Sequence, residues 1–501
     1  MKLLPLKCLH SYYIGSLFHC CIYEDSTGYV YSIFLDKEIE VLGALLTYEL
    51  ARIVKKTAYL RYITSFHDFI VEMRKLVEKR VEKKLEKFGL HKKLKDKALE
   101  TFIKYVTYRC IGFQNLIPVL LDNNVDEIYL DTPFNEIYID HQHFGRLKVY
   151  PKATMEEVEK LLFISKFESD HTVSYENPSL KTVLLSPDFK VRVAVDFPPL
   201  CPQGPSIDIR RLREKPLPPT SWLRKRADLD FLSFLITSLA MRPNIVIVGE
   251  PGSGKTSLLI FLLALLPDKW RIVAIEDTRE IPNLTPYGKR IVYIKVKPFE
   301  AERVQYSKEK EIIKLLHRSP DYVAIGELQS KADNLAFFHA LSAGIRGMGT
   351  IHATSIDELF DRWINIFHIK SSLIKNLDII VFMKKIILHK KILRGLNDII
   401  LHIDQANLSK GVRFDLNINS VHKTIAFWQP FRPENSKVYI QALINKRIKK
   451  KNSLPEKVNL FQKYQSIIRE ELKSSSNIGD ERKFFITISR LLSELHDALY
   501  S

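Results

Sequence analysis

With 501 residues the chain exceeds one ordinary domain, and its length points to two to four units. Apolar residues make up 46% and charged residues 27%, a balance that excludes a disordered or fibrous chain. A formal net charge of +18 suits a polyanionic or membrane-surface partner, although a few lysine-rich surface helices would account for it equally well.

Cys8, Cys20, Cys21, Cys110 and Cys201 are odd in number and lack metal-ligand spacing. They read as the thiols of an intracellular chain without a disulfide framework. No run reaches the ~18 to 20 consecutive apolar residues of a spanning helix. The opening "MKLLPLKCLHSYYIGSLFHCC" faintly resembles a signal segment, but Lys7, His10 and His19 interrupt its apolar region.

Residues 1–60 read as short strands and turns followed by a helix. Residues 66–100 read as one basic amphipathic helix, with Met73, Leu76, Val77, Val81, Leu85 and Phe88 on a common face and Lys and Glu interleaved opposite. Strand-like pieces follow in 121–215: "DEIYLD", "NEIYIDHQHFGRLKVY" and "KVRVAVDF", with one helix at "MEEVEKLLFISKF". The proline-rich "REKPLPPTSW" predicts a stiff linker. From 228 onward continuous apolar strands alternate with helices, the pattern of a parallel sheet covered on both faces. Residues 440–501 read as helical and open with the basic run "NKRIKKKN".

Within "IVIVGEPGSGKTS" the segment Gly249-Glu250-Pro251-Gly252-Ser253-Gly254-Lys255-Thr256 matches G-x-x-x-x-G-K-[ST], and Ser257 follows it. A buried strand before the loop and a helix after it supply the context a phosphate cradle needs. Gly254 permits close backbone approach, and successive N–H groups at a helix N-terminus form a positive concavity. Lys255 would reach the β- and γ-phosphates of ATP, and Thr256 would place its hydroxyl on Mg²⁺. Hydrolysis also needs acids at the ligand edge of the sheet. "RIVAIEDTRE" ends in Glu276 and Asp277, and "PDYVAIGELQ" ends in Glu327, with Gly326 where an aspartate would commonly bind metal. Glu327 is therefore the expected water-orienting group, helped by Glu276, while Asp277 is assigned a share of the metal's water shell. His352, closing "GMGTIHATS", is the expected γ-phosphate sensor.

These four elements, "GEPGSGKT", "IEDTRE", "PDYVAIGE" and "GTIHA", in this order resemble the motor ATPases of type II and type IV secretion, type IV pilus assembly and archaellum assembly, the archaeal branch most closely. The resemblance covers about residues 115–440. It implies an α/β chain: an N-terminal extension over 1–110, an N-terminal α/β domain over 111–212, a linker over 213–222, a RecA-like P-loop motor domain over 223–440 and a basic helical region over 441–501. It further implies a homo-hexameric ring, nucleotide between the two domains, and Arg192, Arg210 and Arg211 completing the nucleotide site. The expected place is the cytoplasm, at the inner face of the cell membrane. The implied partners are an integral membrane platform protein and, indirectly, pilin or secreted subunits, with an acidic membrane surface also suited to the charge.

The departures from that pattern are specific. Gln329 stands where the family has arginine, Ala332 where it has glutamate and Ile345 where it has the first histidine of a G-H pair, and its R-x-R-P-D approach reads "HRSPD", with Arg318 between the two usual arginine places. They leave two other readings open. A nucleic-acid translocase would suit the net charge, although basic residues are not interleaved with aromatic ones. An ATP-binding scaffold with little hydrolysis would suit the degenerate positions.

Overall fold

The computed structural model describes residues 8–26, 28–54, 65–88, 96–131, 136–169, 173–223, 226–296, 307–388, 391–402, 428–448, 454–475 and 481–500. The chain divides into two compact units, Met1–Leu212 with Ile387–Ile392, and Arg213–Ile386 with Leu393–Ser501. No helix among the described residues is long and apolar enough to cross a membrane.

The first unit carries strands β1 (His10–Ile14), β2 (Phe18–Asp25) and β3 (Gly28–Phe34), then helices α1 (Lys37–Val54), α2 (Phe66–Phe88), α3 (Asp96–Cys110) and α4 (Leu116–Leu121). Strands β4 (Val125–Leu130), β5 (Ile137–His141) and β6 (Gly145–Tyr150), helix α5 (Met155–Phe167), and strands β7 (Ser179–Leu185), β8 (Lys190–Asp196) and β9 (Ser206–Arg211) complete it. All nine strands form one sheet in the order β1-β2-β3-β6-β5-β4-β9-β8-β7. Residues 10–34 thus extend the sheet built by 125–211, through the parallel pair Val30↔Lys148 to Ser32↔Tyr150. Strand β8 buries every second residue, Val191, Val193 and Val195, against the helices, as period-2 alternation requires.

Two expectations change here. The helix predicted over 66–100 is two helices, α2 ending at Phe88 and α3 beginning at Asp96, and residues 89–95 lie outside the described ones. Met73, Val77, Val81 and Leu85 do share a buried face. The cysteines do not all stand as free thiols: Cys8 and Cys21 form a disulfide, with Cα atoms 5.9 Å apart. The β1–β2 hairpin brings the two together, since Ser11 pairs with Cys21 and the chain before β1 runs back beside β2. Sequence spacing cannot reveal such a cross-strand approach.

The second unit begins with the proline-rich segment, whose Trp222 is buried in the unit's core. Its elements are α6 (Arg226–Ser238), β10 (Ile245–Gly249), α7 (Lys255–Leu265), β11 (Arg271–Glu276), β12 (Arg290–Lys295), α8 (Lys308–Lys314), β13 (Tyr322–Ile325), α9 (Lys331–Ser342), β14 (Gly347–Ile351), α10 (Ile356–Asp361), α11 (Ser371–Ile374), β15 (Ile379–Leu388), β16 (Lys391–His402) and β17 (Trp428–Pro430). Helices α12 (Ser436–Arg447), α13 (Leu454–Ser474) and α14 (Glu481–Tyr500) follow. The sheet order is β12-β11-β13-β14-β10-β15-β16-β17, and the pairs from β12 to β15 are all parallel. One strand, β14, lies between β10 and β13, the RecA-like arrangement. Strands β10, β13 and β14 are buried at every position, which explains their unbroken apolar sequence. From Leu258 to Leu265 helix α7 is apolar and buried all round.

The C-terminal helices are part of this core. Phe461 on α13 and Phe485 and Leu492 on α14 join the cluster that holds Leu262 and Leu263 of α7. A buried polar tie reinforces them: Lys289 Nζ donates to Ser489 Oγ at 2.7 Å and to Leu266 O and Asp268 Oδ1 at 2.5 Å.

Candidate nucleotide site

The loop between β10 and α7 has the backbone its glycines predict. Gly249, Gly252 and Gly254 take φ of 153°, 71° and 98°, values L side chains rarely adopt. A Cβ on Gly249 would lie 2.4 Å from the Met383 carbonyl oxygen, so this position also needs glycine for space. Gly254 is the N-cap of α7 and no side chain caps the helix, which leaves its first N–H groups aimed out of the loop. Ser253 Oγ is buried without a hydrogen-bond partner. Together these features fit a phosphate group, which would supply the missing acceptors.

Lys255 is buried and folded back on the loop. Its Nζ donates to Gly249 O at 2.9 Å and Glu250 O at 2.8 Å, and lies 3.1 Å from His352 Nδ1. An ammonium has donors only, so Nδ1 must accept and the ring proton sits on Nε2. Nε2 then donates to Glu327 Oε1 at 3.0 Å. Gln329 Nε2 donates to the other carboxylate oxygen, Oε2, at 2.9 Å. Burial pushes the Glu327 carboxyl up, but the hydrogen bonds from His352 and Gln329, with the nearby charge of Lys308, outweigh it and hold the group at about 2. Arg362 braces the histidine from behind, donating Nη1–H to His352 O at 2.6 Å.

Glu276, at the end of β11, is buried and accepts from the N–H groups of Glu280 at 3.1 Å and Ile281 at 3.0 Å, shaping the turn after the strand. It also explains Gly326: a Cβ there would lie 3.1 Å from Glu276 Cγ. The absent side chain lets two strand ends approach. Asp277 is paired with Lys308 Nζ at 2.7 Å. Burial raises its carboxyl, with Lys308 pulling the other way. At the start of the second unit, Arg213 Nε donates to Ser257 Oγ at 2.9 Å on the first turn of α7.

Lys255 at the start of α7, His352 just past β14 and Glu327 just past β13 therefore form one hydrogen-bonded chain, with Glu276 and Asp277 at the end of β11. The arginines of the first unit do not act alike. Arg192 and Arg210 are opposite each other on β8 and β9 and share a face, with Arg210 Nε 3.3 Å from Glu127 Oε1. Arg211 points the other way, as successive strand residues must. It donates to Leu120 O at 2.5 Å and to Asp122 O and Val125 O at 3.0 Å, closing the C-terminus of α4. Gln329, Arg362, Arg213 and Lys308 were not among the predicted site residues. Gln329 had been visible only as a departure from the family pattern, and nothing in the spacing of the others marks them.

The family described as Type II/IV secretion system protein matches residues 115–407, more than half of the chain. An uncharacterized protein of Methanocaldococcus jannaschii is 25% identical over 310 residues, covering 60% of this chain and 54% of the relative. The chain thus spans about half the length of that relative. The type IV secretion system protein PtlH of Bordetella pertussis is 26% identical over 272 residues, covering 50% of this chain and 78% of PtlH. Among solved structures, the ATPase DotB of Legionella pneumophila aligns with 73% of this chain and 92% of its own at 13% identity and a TM-score of 0.43. On the family match across both units, the chain belongs to the Type II/IV secretion system protein family.

Proposed function

We propose that the chain is a Mg²⁺-dependent ATPase motor that works as a ring at the cytoplasmic face of a membrane, driving assembly of a pilus-like filament or secretion through a membrane platform protein. The observation that carries the catalytic part is the chain Lys255–His352–Glu327, which links the phosphate loop to the strand-end acid. The motor and partner parts rest on membership of the family and on relatives named as secretion proteins.

Residues 249–257 would hold the phosphates, Thr256 would ligate Mg²⁺, and the ion would neutralise charge on the transferring phosphoryl group. Lys255 has to leave the carbonyls of Gly249 and Glu250 to meet that charge. Its departure frees His352 Nδ1, so loading of the loop is felt at Glu327 through one imidazole. Glu327, held ionised, accepts a proton of the attacking water and orients it. Such a weak base receives the proton late, which suits the loose transition state of phosphoryl transfer. Among the strand-end acids, Glu276 is taken up by the N–H groups of Glu280 and Ile281 and Asp277 is paired with Lys308, so Glu327 is the acid left to do this.

The test is ATP hydrolysis by the purified chain, with and without membranes carrying a candidate platform protein, beside Lys255→Ala. Membrane-stimulated turnover that disappears in the variant is expected. Stimulation by DNA alone would replace this reading with a translocase, and nucleotide binding without turnover in any condition would replace it with a scaffold.

A further inference from the structure

Lys308 contradicts two local rules. It stands at the first position of α8, where the helix dipole disfavours a cation, and its side chain is only 4% exposed. Such conflicts between local preference and the final structure concentrate at functional positions. Ser307 already caps α8 by accepting from Lys310 N–H, so the lysine is not needed to start the helix.

What the side chain touches explains its place. Nζ lies 2.7 Å from Asp277 Oδ2, just past β11, and 3.7 Å from Asp333 Oδ2, in the first turn of α9. It also donates to the backbone carbonyl of Glu327 at 2.7 Å, just past β13. One ammonium therefore joins both acid-bearing strand ends and the helix that follows the second. The carbonyl it holds belongs to the residue whose carboxylate is assigned to the water. The other two groups on Glu327 are of a different kind. His352 is shared with Lys255 and hence with the state of the phosphate loop, and Gln329 is exposed. Lys308 is the buried anchor.

We propose that Lys308 is a positioning residue for hydrolysis: by clamping the Glu327 backbone to Asp277 and Asp333 it fixes where the Glu327 carboxylate stands over the phosphate loop. The assignment rests on the ATPase reading above. It also accounts for tolerance of glutamine at 329, since the backbone is held independently of that side chain.

The experiment compares the full-length wild type with Lys308→Met, Lys308→Arg, Lys308→Met with Asp277→Asn, and Lys255→Ala. Each is measured for binding of a fluorescent ATP analogue, for kcat and KM, and for thermal midpoint. Lys308→Met is expected to keep nucleotide affinity within about threefold and to lose kcat by about 10- to 100-fold, the range for a misplaced catalytic group. Lys308→Arg is expected to recover part of kcat. In the double variant the nearer carboxylate no longer faces a lost cation, and Asp333 keeps its hydrogen bond from Ser330 N–H, so the thermal midpoint should return toward wild type while kcat stays low. Recovery of kcat along with the midpoint would show a merely structural role and overturn the proposal. Wild-type kcat in Lys308→Met beside an inactive Lys255→Ala would overturn the clamp alone. A wild type that binds nucleotide and never turns it over would overturn the ATPase reading, and the clamp with it.

Discussion

Replacing Glu327 by glutamine removes one charge and little else in shape. The wild-type carboxylate accepts from His352 Nε2–H and from Gln329 Nε2–H, one on each oxygen. An amide offers one oxygen, so one of those donors would face an NH₂ group. A carboxyl held at about 2 instead of its usual 4.5 is favoured as the anion by ~3 kcal/mol. The side chain is 31% exposed, and screening reduces its net value to ~1–2 kcal/mol. The folded-state value lies below the ordinary one, so this stability is present above pH 4.5 and is lost as pH falls toward 2. Glu327→Gln should therefore be less stable than wild type by a constant amount at neutral pH, with the gap closing below pH 4.5. Denaturant melts across that range measure it. Loss of the water-orienting group should lower kcat by about 10²- to 10⁴-fold, while nucleotide affinity stays within a few fold because residues 249–257 are untouched. Turnover within about fivefold of wild type would refute the role given to Glu327; a stability gap that does not change with pH would refute the hydrogen-bonding account of its acidity.

Two further outcomes separate structural from functional cations. Arg211→Ala should destabilise the first unit by ~2–4 kcal/mol by leaving the carbonyls at the end of α4 unsatisfied, whereas Arg210→Ala should leave the denaturation midpoint nearly unchanged. Equal midpoints for the two would count against the opposite facing of these neighbours. Lys289→Met should lower stability by about 3 kcal/mol through loss of the buried contacts to Asp268, Leu266 and Ser489. Proteolysis should then release α14 first, and protection equal to wild type would refute the docking role of that tie.

Much of the site was legible because its signals are local. The phosphate loop needs left-handed glycines at set offsets, and those offsets are contiguous in the chain. Parallel strands buried on both faces read as unbroken apolar runs, so β10, β11, β13 and β14 and the acids at their ends could be found in one pass. The contacts between strands were a different matter. That Gly326 exists to admit Glu276, or that His352 stands between Lys255 and Glu327, depends on strand order, and strand order is not written in any single segment.

The sequence by itself determined the nucleotide loop, the alternation of strands and helices after residue 228, and the acids and histidine that could serve the loop. Only the tertiary structure decided that residues 10–34 join the sheet of 125–211, that Cys8 meets Cys21, that Arg210 and Arg211 face opposite ways, and that Lys308 lies buried between two strand ends. The physical reason is the range of the forces involved. Backbone conformation and burial period are set by neighbours a few residues apart, whereas cross-strand pairs and buried ion pairs form between groups that come together only when the chain has folded.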